Sequence, residues 1–291
     1  MKQRLLRHLA VFFMMVISIN ASAQFNRNEN KIWKFGKQAG INFNTSPPQT
    51  FLTSISNSFF EGSVTISDHN GNLLFHTDGT IVWDSTEQIM PNGNNLTGFP
   101  MNTTNSTTQG SVVVPVPDSA GQYFIFSLPE WSYSAYFGKL MCSKVNMNLN
   151  NGKGDVDTSY TYNKVILDSM FTERMTVVAN CEHSWLLLLR RDTIEFKAYK
   201  ITSSGLDLQN PVISRLSNFP TKNYRQGTLK ASHDGKKLIN SLFRANISAG
   251  EGVEMYDFDP ETGIVSNAQV LDSFSSYAAE FSPDNSKVYV H

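Results

Sequence analysis

Five times along the chain an acidic turn separates two short β-type runs, and this recurrence constrains the fold more than any other feature. The phrases are "TISDHNGNLLFHT" (65–77), "PVPDSAGQYFIFSL" (115–128), "VVANCEHSWLLLL" (177–189), "ASHDGKKLINSLF" (231–243) and "FSPDNSKVYVH" (281–291). Their anchors at 68, 118, 182, 234 and 284 lie 50, 64, 52 and 50 residues apart, with Glu182 taking the aspartate's place in the third copy. Self-similarity at roughly 20–50 residues or slightly more marks propellers and solenoids. The Asp, Asn and Gly residues between the runs suit tight hairpins, which need positive φ or local side-chain capping.

A second hairpin follows the first in each unit. It is clearest in "VEMYDFDPETGIVSNAQVL" (253–271), with counterparts in "FKAYKITSSGLDLQNPVI" (196–213) and "CSKVNMNLNNGKGDV" (142–156). Two hairpins make four strands, which is the blade of a β-propeller. Outside the N-terminal stretch no segment carries a helical apolar period, and the alternation is β-like throughout. The expected fold class is all-β, a β-propeller of four-stranded blades. A two-sheet sandwich accounts for short strands but not for two hairpin types alternating at a near-constant period.

Unit boundaries follow. "WKFGKQAGINF" (33–43) reads as an outer hairpin with no inner pair before it. Inner hairpins open near Glu61, Gln109, Glu173 and Gln226, and a fifth opens near Tyr277 and stops. The propeller is therefore expected to be truncated in its fifth unit, as part of a longer protein.

The first residues, "MKQRLLRHLAVFFMMVISINASAQ", read as an export signal. Lys2, Arg4 and Arg7 precede an apolar run from Leu9 to Ile19, broken only by Ser18, and Ala21-Ser22-Ala23 supplies the small residues of a cleavage site. The run is shorter than the ~20 residues that cross a bilayer. Residues 1–23 are thus expected as a cleaved signal peptide and 24–291 as the propeller domain. The expectation is a secreted protein, extracellular or at the cell surface, without membrane insertion. A balance of 24 Lys and Arg against 25 Asp and Glu carries no nucleic-acid footprint. Cys142 and Cys181 are the only cysteines, and spacing alone leaves their pairing open.

The phrase "ISDHNGNLLFHTDGTIVWDSTEQIMPNG" (66–93) resembles the N-terminal region of large secreted Bacteroidota proteins, with Asp84 where Asn is more usual. "MNLNNGKGDV" (147–156), "LKASHDGKKL" (229–238), "VEMYDFDPETGIVSN" (253–267) and "AEFSPDNSKVYV" (279–290) are similar as well, His233 replacing the usual Pro. The resemblance implies a WD40-like propeller of the Ser-Pro-Asp-Gly type. It also implies downstream PKD repeats and a C-terminal domain for type IX secretion or gliding-motility-associated sorting, parts not in this sequence. It transfers no enzymatic activity residue by residue.

Candidate chemistry is sparse. Sialidase propellers carry Asp-box turns, and the spacing in "SDHNGNLL", "SHDGKKLI" and "SPDNSKVY" does not match them. A glycosidase needs two carboxylates flanking one bond. Glu61, Glu173 and Asp78 are nominees that the sequence does not bring together. No nucleophile elbow, zincin helix or phosphate-cradling loop is present. "GDVDT" (154–158) and "YDFDPETG" (256–263) pair carboxylates at i, i+2 but lack a calcium-loop spacing, and His69, His76, His183 and His233 lie on or beside turns. No metal or cofactor is expected.

Two constellations remain for binding. Inner strands open with Glu61-Gly62, Gln109-Gly110, Glu173-Arg174 and Gln226-Gly227, so their polar residues would ring one mouth of a central channel. The plainer account is that a polar residue and a glycine begin a crowded strand. The segment "WSYSAYFG" (131–138) offers Trp131, Tyr133 and Tyr136 for carbohydrate stacking or a protein partner, or else forms a strand with one buried aromatic face. The leading expectation is a non-enzymatic binding or structural module of a larger surface or extracellular protein, with a protein or glycan partner at a propeller face. The alternative is a propeller hydrolase acting on a glycan or lactone.

Overall fold

The computed structural model describes residues 27–36, 38–54, 61–97, 106–129, 138–180, 183–193, 195–216, 226–243 and 252–291. After a short 3-10 turn (Arg27–Asn30), the first sheet contains β1 (Ile32–Phe35), β2 (Ala39–Asn42) and β3 (Gln49–Leu52). The second contains β4 (Val64–Ser67), β5 (Leu73–Thr77) and β6 (Val82–Asp84). The third runs β7 (Ser111–Pro115), β8 (Gln122–Ser127), β9 (Leu140–Asn146) and β10 (Asp155–Val156), with β11 (Val165–Asp168) also on β9. The fourth runs β12 (Phe171–Ala179), β13 (Ser184–Arg190), β14 (Phe196–Thr202) and β15 (Gly205–Leu206), with β16 (Val212–Ser214) also on β14. The fifth is β17 (Leu229–Ala231), β18 (Lys237–Ser241), β19 (Val253–Asp259) and β20 (Ile264–Asp272). A last hairpin pairs β21 (Ala279–Phe281) with β22 (Val288–Val290).

Among the described residues the named strands pair antiparallel, and each of the five sequence repeats is the first hairpin of its sheet. The repeated serine and aspartate have one job. Ser232 Oγ donates to Asp234 Oδ1 at 2.6 Å and accepts from Lys237 N at 2.9 Å. Ser282, Asp284 and Lys287 repeat this arrangement at 2.6 and 2.9 Å. Asp68 instead accepts the N–H groups of Asn70 and Asn72, both at 2.8 Å. The turn needs a left-handed residue, supplied by Gly71 (φ 85°), Gly235 (φ 70°) and Asn285 (φ 58°). Glu182 lies outside the described residues, and in its turn Asn180 accepts from His183 N at 2.8 Å.

The innermost strands β4, β7, β12, β17 and β21 each lie beside the next, so the sheets radiate from one axis as propeller blades. The core sits between sheets rather than inside one. "WLLLL" shows why: Leu186 and Leu188 pack toward the third sheet with Phe124, Phe126 and Leu140. Trp185, Leu187 and Leu189 pack toward the fifth with Leu238, Tyr256 and Phe258. A strand covered on both faces reads as a continuous apolar run. Tyr123 and Ile125 likewise join Ile66, Phe75 and Val82 between the second and third sheets. Sheets at the two ends of the array keep large apolar side chains exposed, among them Trp33, Leu52 and Tyr289.

Two sequence expectations change. The 33–43 hairpin is present but gains β3, and β1 lies beside β4 as the innermost strands lie beside one another, so its place is inner rather than outer. Lys34 N donates to Thr65 Oγ1 at 3.2 Å, and Ser63 Oγ donates to Lys34 O at 3.1 Å, which draws the two strands together. His76, expected beside a turn, lies within β5 opposite Trp83, with ring centroids 5.1 Å apart and planes 10° from parallel.

His76 also sets an acid limit on stability. Burial, reinforced by the Lys34 cation, pushes its pKa from 6.5 down to about 3 against the pull of Glu87 and Asp84. A folded-state pKa below the unfolded one means the unfolded chain binds more protons between those values. Stability is therefore lost as pH falls from about 6.5 toward 3, at up to roughly 1.4 kcal/mol per pH unit from this group. In urea unfolding across pH 7 to 4, His76→Phe is expected to flatten that slope; parallel slopes for variant and parent would refute the assignment.

Candidate functional site

The starts of the inner strands meet at one end of the axis. Gln109 N donates to Glu173 O at 3.2 Å, Ala279 N to Thr228 Oγ1 at 3.2 Å, and Phe243 N to Gln226 O at 3.3 Å. The glycines there are steric. A Cβ on Gly62 would lie 2.9 Å from Gly110 N, and one on Gly227, at φ +121°, would lie 2.0 Å from Ser241 O. The glycine half of the repeated doublets thus follows from crowding at the axis.

The polar halves divide by role. Gln109 is structural: its Nε2 donates to Leu229 O at 3.0 Å, while its Oε1 accepts from Leu229 N at 2.7 Å and Met175 N at 3.3 Å. The side-chain amide stands in for a strand between β12 and β17. Glu173, 1% exposed, accepts from Thr108 N at 3.1 Å and Thr108 Oγ1 at 3.0 Å. Arg174 points the other way into the core, fully buried, with Nη1 2.8 Å from Asn240 Oδ1. Asn240 Nδ2 in turn donates to Glu254 Oε2 at 2.8 Å, and the Tyr256 hydroxyl donates to the same oxygen. Burial pulls the Arg174 pKa down to about 10, against Glu254, Tyr256 and Glu173, which favour its charge.

Glu61 remains at the mouth itself. Its Oε1 accepts from Ser106 Oγ at 3.2 Å, whereas its buried Oε2 has no hydrogen-bond partner among the described residues. The Tyr277 hydroxyl lies within hydrogen-bonding reach of both Glu61 and Thr108, and burial with the charges of Glu61 and Glu173 pushes its pKa up to about 12. Tyr277 packs edge-on against Phe243 with centroids 5.2 Å apart, and Phe243 is 38% exposed.

Of the four polar residues expected to ring the mouth, the charges of Glu61 and Glu173 both act on Tyr277, and Gln226 is joined to Phe243 through its backbone carbonyl. Gln109 is turned into the scaffold. Phe243 and Tyr277 were not among the expected site residues. For Tyr277 a signal was present, since the fifth unit opens with Ser276-Tyr277 where the others carry Glu or Gln followed by Gly or, once, Arg. Trp131, Tyr133 and Tyr136 lie outside the described residues, as does Cys181. Cys142 is a free, buried thiol whose pKa burial pushes up to about 12.

The paired aspartates belong to turns and strands. Asp157 pairs with Lys144 at 3.1 Å, Asp257 pairs with Lys237, and Asp259 accepts from Thr262 Oγ1 at 2.7 Å. Among the described residues no group of three His, Cys, Asp or Glu side chains is placed to hold a metal ion. Nor is any helix there long and apolar enough to cross a membrane. Asp78, the third carboxylate nominee, is drawn into its own turn by Thr80 N, Thr80 Oγ1 and Ile81 N, each at 2.8 Å.

No family model matches the chain, and no curated protein matches it. Among solved structures it is similar to a candidate 6-phosphogluconolactonase from Bacteroides fragilis, with TM-score 0.53 and 14% identity over 91% of this chain and 75% of that one. A protein of unknown function from Desulfotomaculum acetoxidans gives TM-score 0.48 and 11% identity over 91% and 77% of the two chains. The Cps50 (Swd1) β-propeller domain from Myceliophthora gives 0.40 and 10% over 90% and 93%. At these identities the likeness is one of fold, and the fold is a β-propeller.

Proposed function

We propose that the chain is a binding module, and that the axial mouth formed by Glu61, Glu173, Gln226, Phe243 and Tyr277 takes a hydroxyl-rich ligand such as a glycan of a partner. The observation that carries this reading is the Glu61 carboxylate, whose buried Oε2 has no hydrogen-bond partner among the described residues, beside the partly exposed Phe243–Tyr277 pair. A carboxylate that accepts from sugar hydroxyls, next to an aromatic face for stacking, is a recurrent way to hold a carbohydrate. The carboxylates nearby are engaged in the scaffold: Glu173 by Thr108 at the axis, and Glu254 of β19 by Asn240, Tyr256 and Arg174 in the core. On this reading the chain works without turnover, as a secreted module of a larger extracellular or surface protein.

A hydrolase is the second reading, favoured by the convergence of two carboxylates on Tyr277. One experiment separates them. The parent chain and Glu61→Ala are screened on a glycan array and incubated with aryl glycosides and a lactone. Binding that falls at least tenfold in Glu61→Ala, without turnover by the parent, is the expected result. Turnover by the parent that vanishes in Glu61→Gln would replace the binding module with the enzyme. Equal retention by parent and Glu61→Ala would remove the mouth as the site.

A further inference from the structure

A cavity of about 350 Å³ lies farther along the axis, near the turn ends of the inner hairpins. Its apolar wall is built from three inner strands, Val64 and Ile66 of β4, Val112 and Val113 of β7, and Val177 of β12, with Tyr123 of β8 beside them. The volume falls within the ~300–1,000 Å³ of small-ligand sites. Two charged groups reach its rim, Glu29 from the 3-10 turn and Lys230 from β17. They are not equivalent. Lys230 is neutralised by Glu280 at 3.0 Å. Glu29 has neither an ion pair nor a side-chain hydrogen bond among the described residues. The turn that carries it is tied down by Asn28 Nδ2, which donates to His69 O at 2.8 Å.

We infer that this cavity holds an alkylammonium group, its aliphatic stem along the valine wall and its ammonium on Glu29. The apolar wall and one uncompensated carboxylate are complementary to this shape of ligand, a greasy stem ending in a single cation. A neutral alcohol gains the wall but not the charge, and an alkyl carboxylate meets Glu29 as a like charge. Burial raises the Glu29 pKa with no opposing contribution, as expected where the balancing cation is to come from outside. Tyr123 closes the wall, and its own pKa is raised by burial and then by Glu29 and Asp68, so the carboxylate's field reaches into the cavity. Two sources share this chemistry: a free alkylamine, or a lysine side chain presented by a partner.

The test is calorimetric titration of the full chain with n-butylamine, n-butanol and Nα-acetyl-lysine methylamide at pH 7.5. The expected result is binding of butylamine at least tenfold tighter than butanol. Glu29→Gln, a change on a surface turn, abolishes that preference, and Val112→Trp, which fills the cavity, abolishes both. Glu61→Ala leaves all three affinities unchanged, so failure at the mouth and failure here are distinguishable. Acetyl-lysine methylamide binding as tightly as butylamine assigns the site to a partner's lysine, and its exclusion assigns the site to a free amine. Equal affinities of amine and alcohol for the parent, or amine affinity unchanged in Glu29→Gln, would overturn the inference.

Discussion

Arg174→Ala is expected to destabilise the fold by about 3–5 kcal/mol, the usual cost of removing one partner from a buried charge pair. Arg174 is fully buried, and its guanidinium reaches the Glu254 carboxylate through Asn240, with 2.8 Å at each step. Without it the Glu254 carboxylate stays in the interior on the neutral donors Asn240 and Tyr256, with the Arg174 cation gone. Hydrogen bonds from Asn240 and Tyr256 do not replace a cation there. The same logic makes the loss repairable: in Arg174→Met/Glu254→Gln both charges are gone, and roughly half of the stability is expected to return. Urea midpoints of the three proteins check this. An Arg174→Ala chain within about 1 kcal/mol of the parent would mean that the network is loosely packed or wet.

Gln109→Ala comes next, with an expected loss of about 2–4 kcal/mol, because it orphans three backbone groups where no sheet hydrogen bond can replace them. These are Leu229 N–H, Leu229 C=O and Met175 N–H, all now joined by one side-chain amide. The effect is local as well as global. The Leu229 amide proton is expected to exchange at least tenfold faster in the variant, while amides in β8 and β9 keep their relative protection. If Gln109 were a ligand contact only, stability and exchange at Leu229 would both be unmoved. A loss of binding without a loss of stability would therefore return Gln109 to the mouth.

The contrast between these two residues shows where sequence reading stops. Gln109 and Glu173 stand in equivalent places of their repeats, and neither the residue nor its neighbour foretells its role. One became a stitch between strands because Leu229, 120 residues away, presents a free edge to it. The other became a mouth residue because Thr108 offers it two donors. Tyr277 is the reverse case. It breaks the pattern, and the break placed a phenol between two carboxylates instead of a glycine against a neighbouring strand. The cavity over Val64, Val112 and Val177 had no sequence signal, since valines on inner strands read as core whether or not they enclose a space.

What the amino-acid sequence determined alone is the local grammar: where chains turn, which runs become strands, and that the units repeat. Serine, aspartate and the left-handed glycine or asparagine act within five residues of one another, so their effect is legible in one dimension. Strands buried on both faces are legible too, because "WLLLL" has no polar side to hide. The tertiary structure alone decided which polar residues are scaffold and which face the axis. That choice depends on partners 45 to 120 residues away and on how closely five strand starts crowd around one line, quantities that no short stretch of sequence carries.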